Sequence, residues 1–91
     1  MKLTETEIQA RLRSLPGWDI TGDSISRDFV FTDFVRAFGF MASAAVIAEK
    51  MNHHPEWSNV YNRVSVKLST HEVGGLSELD FYLAERLNRL I

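Results

Sequence analysis

Cysteine is missing from this 91-residue chain, so no disulfide can brace the fold and no thiolate is at hand as a nucleophile. A reducing compartment fits that composition. No apolar run is long enough to cross a membrane: the longest, Phe38 to Ala48, is broken by Gly39 and Ser43 and falls short of the roughly 20 residues that a spanning helix needs. The opening Met1-Lys2-Leu3-Thr4-Glu5 is too polar for a secretory signal, and a soluble cytoplasmic protein is expected. Excess charge of either sign is lacking too. Ten basic residues against twelve acidic ones leave a formal charge of -2, and the basic residues are scattered, which argues against unaided nucleic-acid binding. With no linker or low-complexity tract, residues 1–91 read as a single domain, small enough for self-association to help stabilise it.

What is present is periodicity that changes along the chain. Thr4 and Glu7 have capping-box spacing, and Ile8, Leu12 and Leu15 follow at helical intervals until Leu15-Pro16-Gly17 stops the pattern. Trp18 to Ile20, a turn at Thr21-Gly22-Asp23, and Ile25 to Phe31 predict a hairpin with Ile25, Phe29 and Phe31 on one face, although Arg27 interrupts that face. Thr32 is the expected N-cap of a long helix reaching about Asn52. In it Phe34, Phe38, Met41, Ala45 and Ala48 form the stripe expected to lie on a sheet. Phe40 and Ile47 fall on a different face, among Arg36, Ser43 and Lys50, where a partner subunit is expected to cover them.

Pro55 ends the helical stretch, and Trp57 to Ser69 reads as two strands joined near Tyr61-Asn62-Arg63, with Val64, Val66 and Leu68 facing one way. Gly74-Gly75 makes a connection. Ser77 and Asp80 repeat the capping-box spacing before Leu79, Leu83, Leu87 and Leu90 mark a final amphipathic helix. The order αββαββα predicts an α+β domain, a four-stranded antiparallel sheet with three helices packed on one face. The other face, or a sheet edge, is left for self-association.

All three histidines, His53, His54 and His71, fall in a short stretch: two where the long helix ends and one where the last strand ends. Folding the second hairpin back beside that helix brings them to one rim of the sheet. Imidazole, with an unperturbed pKa of about 6.5, accepts a proton in one form and donates it in the other near neutral pH, so the cluster points to acid/base chemistry. Zinc is the competing reading. Adjacent His53 and His54 diverge, however, and neither HxH spacing nor a cysteine supports a metal site. Gly74-Gly75 lacks the Lys-Ser/Thr that completes a phosphate loop.

The remaining candidates each carry two readings. Asp80 either caps its helix or orients an imidazole, and both roles can coexist. Glu49 is a solvated helix residue or a pocket residue; Trp57 is core or pocket wall; Ser69 and Thr70 end a strand or offer groups to a ligand.

The run Glu49-Lys50-x-x-His53-His54-Pro55-x-Trp57-x-Asn59-Val60-Tyr61-Asn62-x-Val64, then Leu68-x-Thr70-His71-x-x-x-Gly75-Leu76-x-x-x-Asp80, then Leu83-Ala84, resembles the signature of the pterin-4a-carbinolamine dehydratases. It runs through about half the chain. The resemblance implies an α+β domain that assembles as a homodimer through its sheet, or as a homotetramer that also uses the central helices. The implied reaction dehydrates 4a-hydroxytetrahydrobiopterin, or a related pterin, to the quinonoid dihydropterin, recycling the cofactor of an aromatic amino acid hydroxylase, with no metal or organic cofactor of its own. It further implies that His53 and His71 take the acid and base roles, that His54 chiefly holds substrate, and that Asp80 orients an imidazole. Glu49, Pro55, Trp57, Thr70 and Glu72 would line the pocket, with Ser69 beside them. A second class of function comes with the same resemblance: a non-catalytic dimerisation cofactor, coactivator or assembly factor that binds a partner helix.

Overall fold

The structure, a computed structural model, describes all 91 residues. Helix α1 (Glu5–Arg13) starts at the expected capping box, where Thr4 Oγ1 accepts the Glu7 N–H and Glu7 Oε1 accepts the Thr4 N–H. Strands β1 (Asp19–Thr21) and β2 (Ser24–Val30) follow, then α2 (Phe34–Met51), β3 (Glu56–Val60), β4 (Arg63–Leu68), a 3-10 turn at His71–Val73, and α3 (Glu78–Asn88). The expected αββαββα order is the observed one. The four strands make one antiparallel sheet in the order β1-β2-β4-β3, with Ile25 opposite Leu68, Phe29 opposite Val64 and Trp57 opposite Val66.

Period-two alternation decides which face of the sheet is buried. Ile25, Phe29, Val64, Val66 and Leu68 are almost wholly removed from solvent beneath α2 and α3. Their alternates Ser26, Asp28, Ser58, Ser65 and Lys67 line the opposite face. Each fully buried Phe or Leu contributes about 1.5–3 kcal/mol through removal of apolar area from water. Arg27, the apparent break in the inner face, is accommodated at its edge. Its guanidinium lies 4.5 Å from the Phe29 ring centre and donates to Pro16 O and Asn88 Oδ1, while Trp18 Nε1 donates to the same Asn88 oxygen. A glycine is needed beside it: Gly17 has φ +87°, and a Cβ there would stand 2.6 Å from the guanidinium.

Two expectations about α2 are corrected. Asp33, not Thr32, caps it, its carboxylate accepting the Arg36 N–H at 2.8 Å. The face on the sheet is Ala37, Phe40, Ala44 and Ala48, whereas Phe34 and Phe38 are 49% and 59% exposed. Small alanines let the helix approach the sheet closely, and Phe40 is the one large buried side chain on that face, its ring centre 4.6 Å from that of Phe29 and 5.1 Å from that of Phe31. Phe40 is therefore core, and Ile47 packs against that core instead of awaiting a partner. The outward apolar residues are Phe34, Val35, Phe38 and Val46. In α3 the buried apolar set is Phe81, Leu83, Ala84 and Leu87, while Leu79 and, beyond the helix end, Leu90 are partly exposed, so only Leu83 and Leu87 of the expected apolar stripe are buried.

Candidate active site

The end of α2 positions the first histidine. Asn52 adopts a left-handed conformation (φ 53°) and its N–H returns to the last turn, after which the His53 N–H bonds Ala48 O at 3.1 Å. That reversal carries the His53 side chain under the start of α3. Its Nε2 lies 2.6 Å from Asp80 Oδ1. His53 is 8% exposed and Asp80 is completely buried.

Asp80 is held from three directions. As the third residue of α3 it completes the expected capping box: its Oδ2 accepts the Ser77 N–H at 3.0 Å, and Ser77 Oγ accepts the Leu79 N–H at 3.3 Å. The Thr70 hydroxyl donates to the same Oδ2 at 2.7 Å and contacts Ser77 Oγ at 2.8 Å. The two readings of Asp80, cap and imidazole partner, are met by different oxygens of one carboxylate. Thr70 comes into reach because it pairs with Gly75 just beyond β4, its N–H bonding Gly75 O at 2.8 Å. Only a left-handed residue closes the intervening turn, and Gly74 supplies it at φ 68°.

A cavity of about 630 Å³ opens beside this pair, walled by Leu3, Met51, His53, Thr70, Glu72 and Ser77, among others. Thr70 also borders a neighbouring cavity of about 260 Å³, lined by no hydrophobic residue, that holds Ser69, His71, Glu56 and Lys67. The chain thus brings His53, Thr70, Asp80 and Glu72 together, while His71 and Ser69 line the neighbouring cavity that Thr70 also borders. His71 itself is exposed. His54 points elsewhere, its Nε2 2.9 Å from Glu49 Oε1 in a largely solvated pair. Neither that pair nor Pro55 and Trp57 lines either cavity, and Trp57 packs against the core. A larger cavity of about 760 Å³, between Phe31, Val35, Gly39, Phe40 and Leu90, contains no histidine and is predominantly apolar. Its size gives it no claim on the chemistry.

Sequence reasoning passed over two contributors. The spacing marks Ser77 only as a cap, and nothing in it signals the further contact of its hydroxyl with Thr70. Arg11 carried no signal. It donates to both carboxylate oxygens of Glu78 at the rim of the His53 cavity, tying α1 to the start of α3.

The hydrogen bonds from Arg11 hold the Glu78 carboxyl below the usual carboxylate range, against a smaller opposing effect of desolvation, and raise the Arg11 guanidinium in turn. Because the folded value lies below the unfolded one, the pair contributes stability above the unfolded value and loses it as pH falls through the folded one. Arg11→Met should therefore reduce the stability difference between neutral pH and a pH below glutamate's ordinary value of about 4.3, read from urea unfolding at each pH. An unchanged difference would mean that solvent screening cancels the pair.

With this geometry in hand, the family profile described as Pterin 4 alpha carbinolamine dehydratase matches residues 1–90. A relative from Rhizobium johnstonii, named "Putative pterin-4-alpha-carbinolamine dehydratase", is 54% identical over 90 residues, covering 97% of this chain and 89% of that protein. One of the same name from Solibacter usitatus is 51% identical over 98% of this chain and 94% of its own. A crystal structure of a "transcriptional coactivator/pterin dehydratase" from Brucella Melitensis superposes with a TM-score of 0.97 at 50% identity, over 99% of this chain and 98% of that one. With that profile matched over residues 1–90 and relatives about half identical along nearly the whole chain, the chain belongs to the pterin-4-alpha-carbinolamine dehydratase family.

Proposed function

We propose that the chain dehydrates 4a-hydroxytetrahydrobiopterin, or a related 4a-hydroxytetrahydropterin, to the quinonoid dihydropterin and water by histidine acid/base catalysis. The observation that carries this reading is the His53–Asp80 pair at 2.6 Å, buried in the wall of a cavity. Loss of water requires the C4a hydroxyl to gain a proton as it leaves and N5 to give one up, and two imidazoles supply both transfers. His53 and His71 take those roles, each lining a cavity that Thr70 borders. Asp80 holds the His53 ring. His54 contributes to holding substrate together with Glu49, Pro55, Trp57, Ser69, Thr70 and Glu72, and the natural setting is the cytoplasm beside an aromatic amino acid hydroxylase.

Self-association as a homodimer or homotetramer belongs to the same proposal. The outward strip Phe34, Val35, Phe38 and Val46 of α2 is more apolar surface than a lone helix on a sheet requires, and β3 is a free sheet edge. That strip also favours a second reading, a coactivator that offers α2 to a partner helix. The purified protein is expected to accelerate dehydration of a chemically generated 4a-hydroxytetrahydropterin, followed by absorbance near neutral pH. A rate no faster than buffer would leave the coactivator reading in its place.

A further inference from the structure

The hydrogen bonds around Asp80 can run in only one direction. A carboxylate offers acceptors alone, and a hydroxyl has a single proton to give. Thr70 gives its proton to Asp80 Oδ2, so the 2.8 Å contact between Thr70 and Ser77 must be made with the proton of Ser77. Ser77 Oγ meanwhile accepts the Leu79 N–H. The order is therefore Leu79 N–H to Ser77, Ser77 to Thr70, and Thr70 to Asp80.

Asp80 Oδ1 then has nothing to offer His53 except lone pairs, and the proton in the 2.6 Å contact must sit on His53 Nε2. In the neutral ring Nδ1 keeps its lone pair. Nδ1 makes no hydrogen bond within the protein, and no side-chain nitrogen or oxygen is both sealed from solvent and unpaired, so Nδ1 is open to solvent on a residue that lines the cavity.

We infer that Thr70 and Ser77 are positioning residues: acting through Asp80, they fix His53 as the Nε2–H tautomer and make Nδ1 the nitrogen that exchanges a proton with substrate. The helix cap does not require this arrangement, since Asp80 Oδ2 already receives the Ser77 N–H without help from Thr70. Remove the Thr70 hydroxyl and the carboxylate loses its lateral anchor. Oδ1 is then no longer held against Nε2, and a ring that has lost that contact can populate the other tautomer, whose Nδ1 carries a proton and cannot accept one.

The catalytic part of this inference rests on the dehydratase reading, whereas the tautomer does not. The test is imidazole ¹⁵N NMR of the uniformly labelled protein on the alkaline side of neutrality, with the His53 signals assigned by their loss in His53→Gln, alongside steady-state dehydration kinetics. Wild type should show the Nε2–H pattern, and Thr70→Val a mixture of tautomers with kcat roughly tenfold lower, the equivalent of one hydrogen bond to a charged group, and KM nearly unchanged. Thr70→Ser should restore both. Ser77→Gly, which keeps a good helix cap while removing the hydroxyl, should fall between and serves if Thr70→Val does not fold. A wild-type Nδ1–H pattern, or a Thr70→Val protein with wild-type tautomer and kcat, overturns the inference. A wild-type protein with the Nε2–H pattern but no pterin dehydration sinks the dehydratase reading and leaves the hydrogen-bond order standing.

Discussion

His53→Gln is expected to lower kcat for dehydration by about a hundredfold or more, the usual scale for losing a positioned acid/base group, while the protein stays folded. Glutamine is chosen because its amide can still donate to Asp80 Oδ1, so the buried carboxylate keeps its partner, yet it cannot take up a proton and return it. His71→Ala should cause a comparable loss with a different signature. His71 is exposed and makes no side-chain hydrogen bond, so its urea unfolding curve should overlay that of wild type. Stopped-flow dehydration assays on both variants, normalised to folded protein, provide the check. Wild-type turnover by His53→Gln would remove this imidazole from the chemistry altogether.

Asp80→Ala should produce the largest loss of stability of any single substitution in the site. Its side chain is completely buried and receives Ser77 N–H, Thr70 O–H and His53 Nε2–H, so truncation leaves three donors without an acceptor. Breaking such a buried charged network costs about 3–5 kcal/mol. For a domain of this size each kcal/mol moves Tm by roughly 4–8 °C, which places the melting transition at least about 12 °C lower. Glu85→Ala, which removes an exposed helical pair with Arg89, should stay within about 0.5 kcal/mol of wild type and serves as the control. Asp80→Asn separates the two duties. Its one oxygen can still take Ser77 and Thr70 while its amide faces His53, so activity should fall further than stability. A calorimetric Tm for Asp80→Ala within a few degrees of wild type would contradict the network described here.

Element order was readable from sequence because local rules and the final fold agree: both predicted capping boxes, at Thr4/Glu7 and Ser77/Asp80, are present, and alternation in Val64-Ser65-Val66-Lys67-Leu68 marks the buried face of β4. The face of α2 was misread for a physical reason. Phe34 and Phe38 are bulkier and more hydrophobic than alanine, but closeness of packing favours the small stripe, and the two rings lie tilted against each other outside with centres 6.1 Å apart. The signature named the right candidates without their geometry. Nothing in the spacing could show that Thr70 and Ser77 share one oxygen of Asp80, that Thr70 borders both the cavity of His53 and that of His71, or that Arg11 reaches a glutamate 67 positions away.

Asp80 answers to two masters, the beginning of α3 and the ring of His53, and descent should record that unequally. A lineage that gave up pterin chemistry for a purely regulatory life would be free to let His53 drift, yet would be punished for altering the aspartate because the helix would fray. Persistence of Asp80 is thus a poor witness to catalysis, and a vestigial member of the family should betray itself by an intact acid facing a vanished imidazole.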